Sequence, residues 1–306
     1  KRRTALKELL GIKQLSANEN YEILDFAEDM KKLILKREKC SFLRGKRVTT
    51  LFYENSTRTR TSFELAAENV GAYVNSLDVS TPSVQKGESL SDTGKTLDAL
   101  SSDIVVIRHS KSGAPLFLSK NISAAVVNAG DGANEHPTQA LLDFFTMRQH
   151  FGPIEGLKVA IIGDVKHSRV ARSNLWGLKT LGAEVAFCGP KTLLPADMGS
   201  LCTVTTDPVA AVYDADVVMG LRIQLERQQQ GMFPSLMEYN AMWGMSEKLL
   251  SYAKPDAIVL HPGPVNRGVE INSDVLGGEK SLVNTQVTNG LAVRMAVLSL
   301  IGKELG

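Results

Sequence analysis

An apolar strand pattern at residues 48–53 runs straight into Glu54-Asn55-Ser56-Thr57-Arg58-Thr59-Arg60-Thr61-Ser62. A helix pattern follows, with Phe63, Ala66, Ala67 and Val70 on one face and Gly71 where a left-handed C-cap would end it. The join is short, so hydroxyls and guanidiniums are concentrated in the first turn of the helix. A helix N-terminus already favours an anion, because its N–H groups are free and its dipole end is positive. That same dipole disfavours arginines, so something anionic must offset the repulsion, and a phosphate fits best. Solvated arginines behind an ordinary Ser/Thr N-cap are the bland alternative.

The rest of the chain repeats the strand-then-helix rhythm. A helix pattern at 21–36 places Ile23, Leu24, Ala27, Met30 and Leu33 near one face. Strand-like runs follow at 48–53, 73–77, 104–107 and 124–128, separated by helical or loop material, and this alternation predicts a parallel sheet covered by helices. A second series occupies 157–163, 185–188, 217–221 and 258–261. Between the two lies a helix pattern from 136 to about 150, broken by Phe151-Gly152-Pro153. A final helix at 290–301 is apolar enough to pack back onto a domain surface. The predicted fold class is therefore α/β: two open, doubly wound parallel-sheet domains with the active site in the cleft between them. Ligands of such sheets bind beyond the carboxyl ends of the strands, where Ser56, Arg108, His136, Arg169, Arg222 and His261 all fall.

Length and charge bound the alternatives. A chain of 306 residues with 43% hydrophobic and 22% charged residues suits two soluble domains. Its formal charge of +2 argues against a general nucleic-acid partner, so anion recognition must be local. No window approaches a transmembrane span and no apolar signal core is present, so no membrane partner is expected. Cys40, Cys188 and Cys202 read as reduced, buried thiols of a cytoplasmic protein.

Several residues carry two readings on position alone. Arg108 ends an apolar run and suits either a cleft or a plain surface. His136 precedes Pro137 at a helix start, where a histidine is as readily a cap as a catalyst. The polar stretch 80–89 suits a surface loop with an exposed lysine. Residues 159–164 followed by Ser168-Arg169 invite a dinucleotide-binding reading, but only Gly163 of the Gly-x-Gly-x-x-Gly pattern is present. The five histidines show no zinc-type spacing and there is no Gly-x-Ser-x-Gly elbow, so neither metal nor cofactor is expected.

The string STRTRTSFE resembles the carbamoyl-phosphate signature of the aspartate and ornithine carbamoyltransferase family. KGESLSDT from Lys86, EHPTQALLD from Glu135 and HPGPVNRGVEI from His261 match in the same order. The resemblance covers essentially the whole chain. It implies a carbamoyl-phosphate-binding domain at 1–148, with helix 287–306 packing back on it, and an aspartate-binding domain at 149–286. It assigns Ser56, Thr57, Arg58 and Thr59 to the phosphate, and Arg58, Arg108 and His136 to the carbonyl oxygen, with Gln139 on the amide. Ser83 and Lys86 would enter a neighbouring subunit's site, making the protein a homotrimer with shared active sites. Arg58, Lys86, Arg108 and His136 are thus the expected catalytic set. Arg169, Arg222 and Gln224 match groups that hold the amine acceptor's carboxylates, and Pro262 and Gly263 would present backbone carbonyls to the amide and amine. Glu54 would orient Arg169 and Arg227 through ion pairs, or form a mere surface pair.

The chemistry agrees with that choice of residues. An amine attacking carbamoyl phosphate builds negative charge on the carbonyl oxygen, which fixed donors stabilise. Guanidiniums also grip the departing phosphate through paired hydrogen bonds. Ornithine would want carboxylates for its cationic side chain, whereas Arg169 and Arg222 suit the two carboxylates of L-aspartate. His-Cys-Leu-Pro and Ser-Met-Gly, usual in the ornithine branch, do not occur. Gly263 stands where the aspartate branch often has leucine, which puts the stiffness of that turn in question. A carbamoyltransferase for another amine and a non-catalytic metabolite sensor are the alternatives. Regulatory or dihydroorotase chains are conceivable partners.

Overall fold

A computed structural model describes residues 6–79, 88–223 and 235–305. The chain divides into two compact units, one of Lys1–Phe145 with Thr288–Gly306 and the other of Thr146–Val287.

In the first unit, helix α1 (Ala17–Lys36) opens with a full capping box. Ser16 accepts from the Glu19 backbone, and the Glu19 carboxylate returns to the Ser16 N–H. The helix therefore starts before the apolar periodicity at residue 21. The strands are β1 (Arg47–Phe52), β2 (Tyr73–Asp78), β3 (Ile104–His109) and β4 (Ala125–Asp131), in the order β2-β1-β3-β4 and all parallel. The buried stretch of β3 is wholly apolar, as a sheet covered on both faces requires, while β1 buries Thr49 and Thr50 among its apolar residues. Helices α2 (Thr57–Asn69), α3 (Leu90–Ala99) and α4 (Ala114–Ser119) make the crossovers, and α5 (Pro137–Phe151) follows β4. Helix α2 buries Phe63, Ala66 and Ala67, and Gly71 follows it at φ +88°. A Cβ there would sit 3.1 Å from the Cys40 carbonyl oxygen, so the glycine that stops the helix also permits close packing.

The second unit carries β5 (Lys158–Ile162), β6 (Glu184–Cys188), β7 (Thr203–Thr205), β8 (Val217–Gly220) and β9 (Ile258–Leu260). They form a parallel sheet in the order β7-β6-β5-β8-β9. Its helices are α6 (Arg169–Thr180), α7 (Pro208–Val212), α8 (Leu236–Trp243), α9 (Glu247–Leu250) and α10 (Ser273–Gly277). The short edge strand β7 is an addition to the expected four, and its three residues are too few for an alternation signal. The last helix, α11 (Val283–Glu304), is longer than the apolar run at 290–301, and its residues from Thr288 onward belong to the first unit. There Lys303 lies over the Phe26 ring and Lys46 donates to the Leu305 carbonyl at 3.0 Å.

Strand order locates the ligand-binding edge within each unit. In the first, the direction of winding reverses between β1 and β3; in the second, between β5 and β8. Such switch points open a crevice at the carboxyl ends of the flanking strands. Ser56 follows β1 and Arg108 lies in β3, while Arg169 follows β5 and Arg222 follows β8.

Candidate active site

Register places Arg108 of β3 opposite Phe52, the last residue of β1. From there its Nε reaches Glu54 Oε2 at 3.2 Å and one terminal nitrogen donates to the Ala129 carbonyl at 3.2 Å. Three elements thus fix the guanidinium: the β1 exit, the β3 end and β4. The Glu54 carboxylate found on Arg108 is a partner that sequence reasoning did not assign to it; Arg227 lies outside the described residues.

Ser56 occupies the N-cap of α2, yet its side chain makes no capping hydrogen bond. Ser16, Ser89 and Ser168 each cap their helices by accepting a backbone N–H. The first turn of α2 holds Thr57, Arg58 and Thr59 and no acidic residue. An uncapped helix end beside an exposed Arg58, with no carboxylate in the turn, is a seat for an anion.

The third part of this site is built by β4 and the turn after it. Asp131 is buried and collects donors: Asn128 Nδ2 at 2.9 Å, the Glu135 N–H at 3.1 Å and the Gly113 N–H at 2.7 Å. That turn delivers His136, 5% exposed, to the start of α5, with Pro137 as the first helical residue. One turn on, Gln139 donates from Nε2 to Asp143 Oδ1 at 3.0 Å.

Arg294 of α11 is the residue that motif reading missed. It is 5% exposed, donates to Ser62 Oγ at 2.8 Å and lies 5.1 Å from the centre of the Phe63 ring. Burial, and then the nearby Arg108 and Arg58, pull its pKa down to about 10, with Asp143 acting in the opposite sense. Three guanidiniums therefore bear on one region of the first unit. The available signal was an arginine inside the apolar run Leu291-Ala292-Val293-Arg294-Met295-Ala296-Val297, since a charge in such a run requires partners.

In the second unit Ser168 caps α6 through the Ala171 N–H at 3.1 Å, which leaves Arg169 as a half-buried first helical residue. Arg222 is exposed just beyond β8. Behind it, the Ile223 N–H donates to Glu270 Oε1 at 2.8 Å, and Asn266 donates to both Glu270 oxygens, from its backbone at 2.7 Å and its side chain at 2.8 Å. Glu270 thereby ties the Arg222 segment to the loop that carries Pro262 and Gly263. Its carboxyl is pushed above the ordinary range by burial, against the pull of these donors. The Gly263 turn is well held despite the missing leucine. Its N–H donates to His261 Nδ1 at 2.8 Å, and its φ of +63° suits glycine better than a branched side chain. Because Nδ1 accepts, the neutral His261 ring carries its proton on Nε2, which lies 3.8 Å from Glu270.

Ser83, Lys86 and Gln224 lie outside the described residues. Of the three thiols only Cys188 is buried, and burial raises Cys188 to about 12 and Cys202 to about 11, so neither is a nucleophile near neutrality. Among the described residues no helix is long and apolar enough to cross a membrane.

Two family models match the chain in succession. Residues 7–149 match the aspartate/ornithine carbamoyltransferase carbamoyl-P binding domain, and residues 155–301 match the Asp/Orn binding domain. The chain is 57% identical over 300 residues to an aspartate carbamoyltransferase catalytic subunit of Acetivibrio thermocellus, covering 97% of this chain and 96% of that one. A counterpart in Caldanaerobacter subterraneus is 53% identical, with 96% and 97% covered. Among solved structures, aspartate transcarbamoylase of Trypanosoma cruzi in complex with carbamoyl phosphate and aspartate superposes with a TM-score of 0.85 at 30% identity, covering 96% and 94%. Ornithine carbamoyltransferase of Pyrococcus furiosus superposes as well, with a TM-score of 0.86 at 29% identity, covering 97% and 98%. Backbone shape therefore does not distinguish the two acceptors. The 57% and 53% identity to the two aspartate carbamoyltransferase catalytic subunits does.

Proposed function

The chain belongs to the aspartate/ornithine carbamoyltransferase family, and we infer that it transfers the carbamoyl group of carbamoyl phosphate to the α-amine of L-aspartate. The products are N-carbamoyl-L-aspartate and phosphate, and the reaction feeds pyrimidine synthesis. The observation that carries this reading is the uncapped, acid-free start of α2 beside Arg58 and Arg108, in a chain more than half identical to aspartate enzymes.

In this reading the phosphate rests on Ser56, Thr57, Arg58 and Thr59. Arg58, Arg108 and His136 donate to the carbonyl oxygen, and Gln139 meets the amide. Arg169, Arg222 and Gln224 take the two carboxylates of aspartate, while the carbonyls of Pro262 and Gly263 face the amide and the amine. Carbamoyl phosphate binds first, because its charge neutralises the cationic site before aspartate adds two more negative groups. The neutral amine attacks, charge develops on the carbonyl oxygen against fixed donors, and the leaving phosphate accepts the amine's proton. Each such donor is worth about 3–4 kcal/mol of barrier. We further propose a cytoplasmic homotrimer in which Ser83 and Lys86 serve a neighbour's site. Regulatory or dihydroorotase chains are partners that this reading admits.

The test is product identification. The purified chain, supplied with carbamoyl phosphate and L-aspartate, should release N-carbamoyl-L-aspartate and phosphate in equal amounts. Tight binding of N-phosphonacetyl-L-aspartate with no turnover would favour a metabolite sensor instead.

A further inference from the structure

We propose that Asp143 is a positioning residue that fixes Gln139 as a hydrogen-bond acceptor, and so makes the pocket select carbamoyl phosphate over acyl phosphates that lack an amide. The proposal rests on reading this unit as the carbamoyl-phosphate site.

Gln139 and Asp143 stand four residues apart on α5, so their side chains share one face of the helix. A glutamine amide has a donor end and an acceptor end of nearly the same shape, and its neighbours decide which end points where. Here the neighbour is a carboxylate, which when ionised offers only acceptors. Gln139 Nε2 meets it at 3.0 Å, which leaves Oε1 as the other end of the amide. The reverse orientation would set two acceptors against each other in a buried place, at a penalty of the unsatisfied-group kind. Exposure separates the two roles: Gln139 keeps 7% of its surface, whereas Asp143 keeps none. Gln139 can touch a ligand, whereas Asp143 reaches one only through other side chains.

A buried cation stands near this carboxylate. Arg294 is a buried cation whose field acts on Asp143, and it is itself held by Ser62 Oγ and the Phe63 ring. A chain of named groups thus runs from α2 through α11 to α5 and ends in one oriented amide oxygen. The carbamoyl NH2 is a donor and matches that oxygen. The methyl group of acetyl phosphate is not a donor, and inorganic phosphate has no group at that place.

The experiment uses the full chain with Asp143→Asn, whose side chain can turn either end toward Gln139. Carbamoyl phosphate KM is measured beside the inhibition constants of acetyl phosphate and inorganic phosphate. The preference for carbamoyl over acetyl phosphate should fall by roughly tenfold or more, the effect of one lost or inverted hydrogen bond. Inhibition by inorganic phosphate should stay unchanged. Gln139→Met should show the same fall, and the double variant no further one. An unchanged preference in Asp143→Asn would overturn the proposal, as would equal weakening of all three ligands, which is what a packing role predicts. If Asp143→Asn does not fold, Asp143→Ser takes its place, and failure of both to fold would assign the residue to the core and overturn the proposal as well. A wild-type chain that makes no carbamoyl product would instead contradict the reading of the site.

Discussion

Glu54 holds Arg108 by its Nε, 3.2 Å from the carboxylate, at the switch point of the first sheet. The contact takes up one edge of the guanidinium, and the Ala129 carbonyl binds one of its terminal nitrogens. What remains is a donor with a set direction. Glu54→Ala should therefore lower kcat by about ten- to a hundredfold through misplacement of Arg108. The thermal midpoint should fall as well, since the two side chains keep only 14% and 29% of their surface exposed and Arg108 loses the carboxylate on its Nε. The kcat values are therefore compared at a temperature where both proteins are folded. Normal kcat in this variant would show that Arg108 finds its position without Glu54.

Arg58 is exposed in the first turn of α2, so truncating it should remove little packing. Arg58→Ala should reduce kcat by on the order of 10²–10³ while circular dichroism and the melting curve stay close to wild type. A near-normal kcat would reduce Arg58 to a surface cation.

Stability should carry a pH signature from Glu270. Burial raises its pKa in the folded chain above the ordinary 4.5. Between 4.5 and the raised value the native state binds more protons than the unfolded chain, so stability falls as pH rises through that window. The penalty is fully present above the raised pKa and absent below 4.5. The stability of wild type relative to Glu270→Gln should therefore improve as pH is lowered from 7.5 toward 4.5, read from urea midpoints. A difference that is constant with pH, or that moves the other way, would contradict the burial argument.

The legible parts of this molecule are those whose signal is local. The unbroken apolar stretch of β3 announces a buried parallel strand, and Gly71 marks the end of α2 from its own neighbourhood. The proposed anion seat rests on a local signal too, because Ser56 to Arg60 are consecutive residues. Arg294 is different. Its partner Ser62 lies 232 positions away, and only the folded chain shows that an arginine in an apolar helix stands behind α2. Glu270 is likewise 47 residues from Ile223, so its hold on two loops has no sequence pattern. The early start of α1 is an intermediate case. Apolar periodicity misses it, although the Ser16–Glu19 capping box that causes it is itself local.

The central claim is the choice of acceptor, and the most direct measurement is kcat/KM for L-aspartate against L-ornithine at saturating carbamoyl phosphate. With Arg169 and Arg222 in the proposed role of carboxylate partners, which would also repel a second ammonium, aspartate should be preferred by at least about 10³-fold. Equal use of the two amines, or preference for ornithine, would contradict the account.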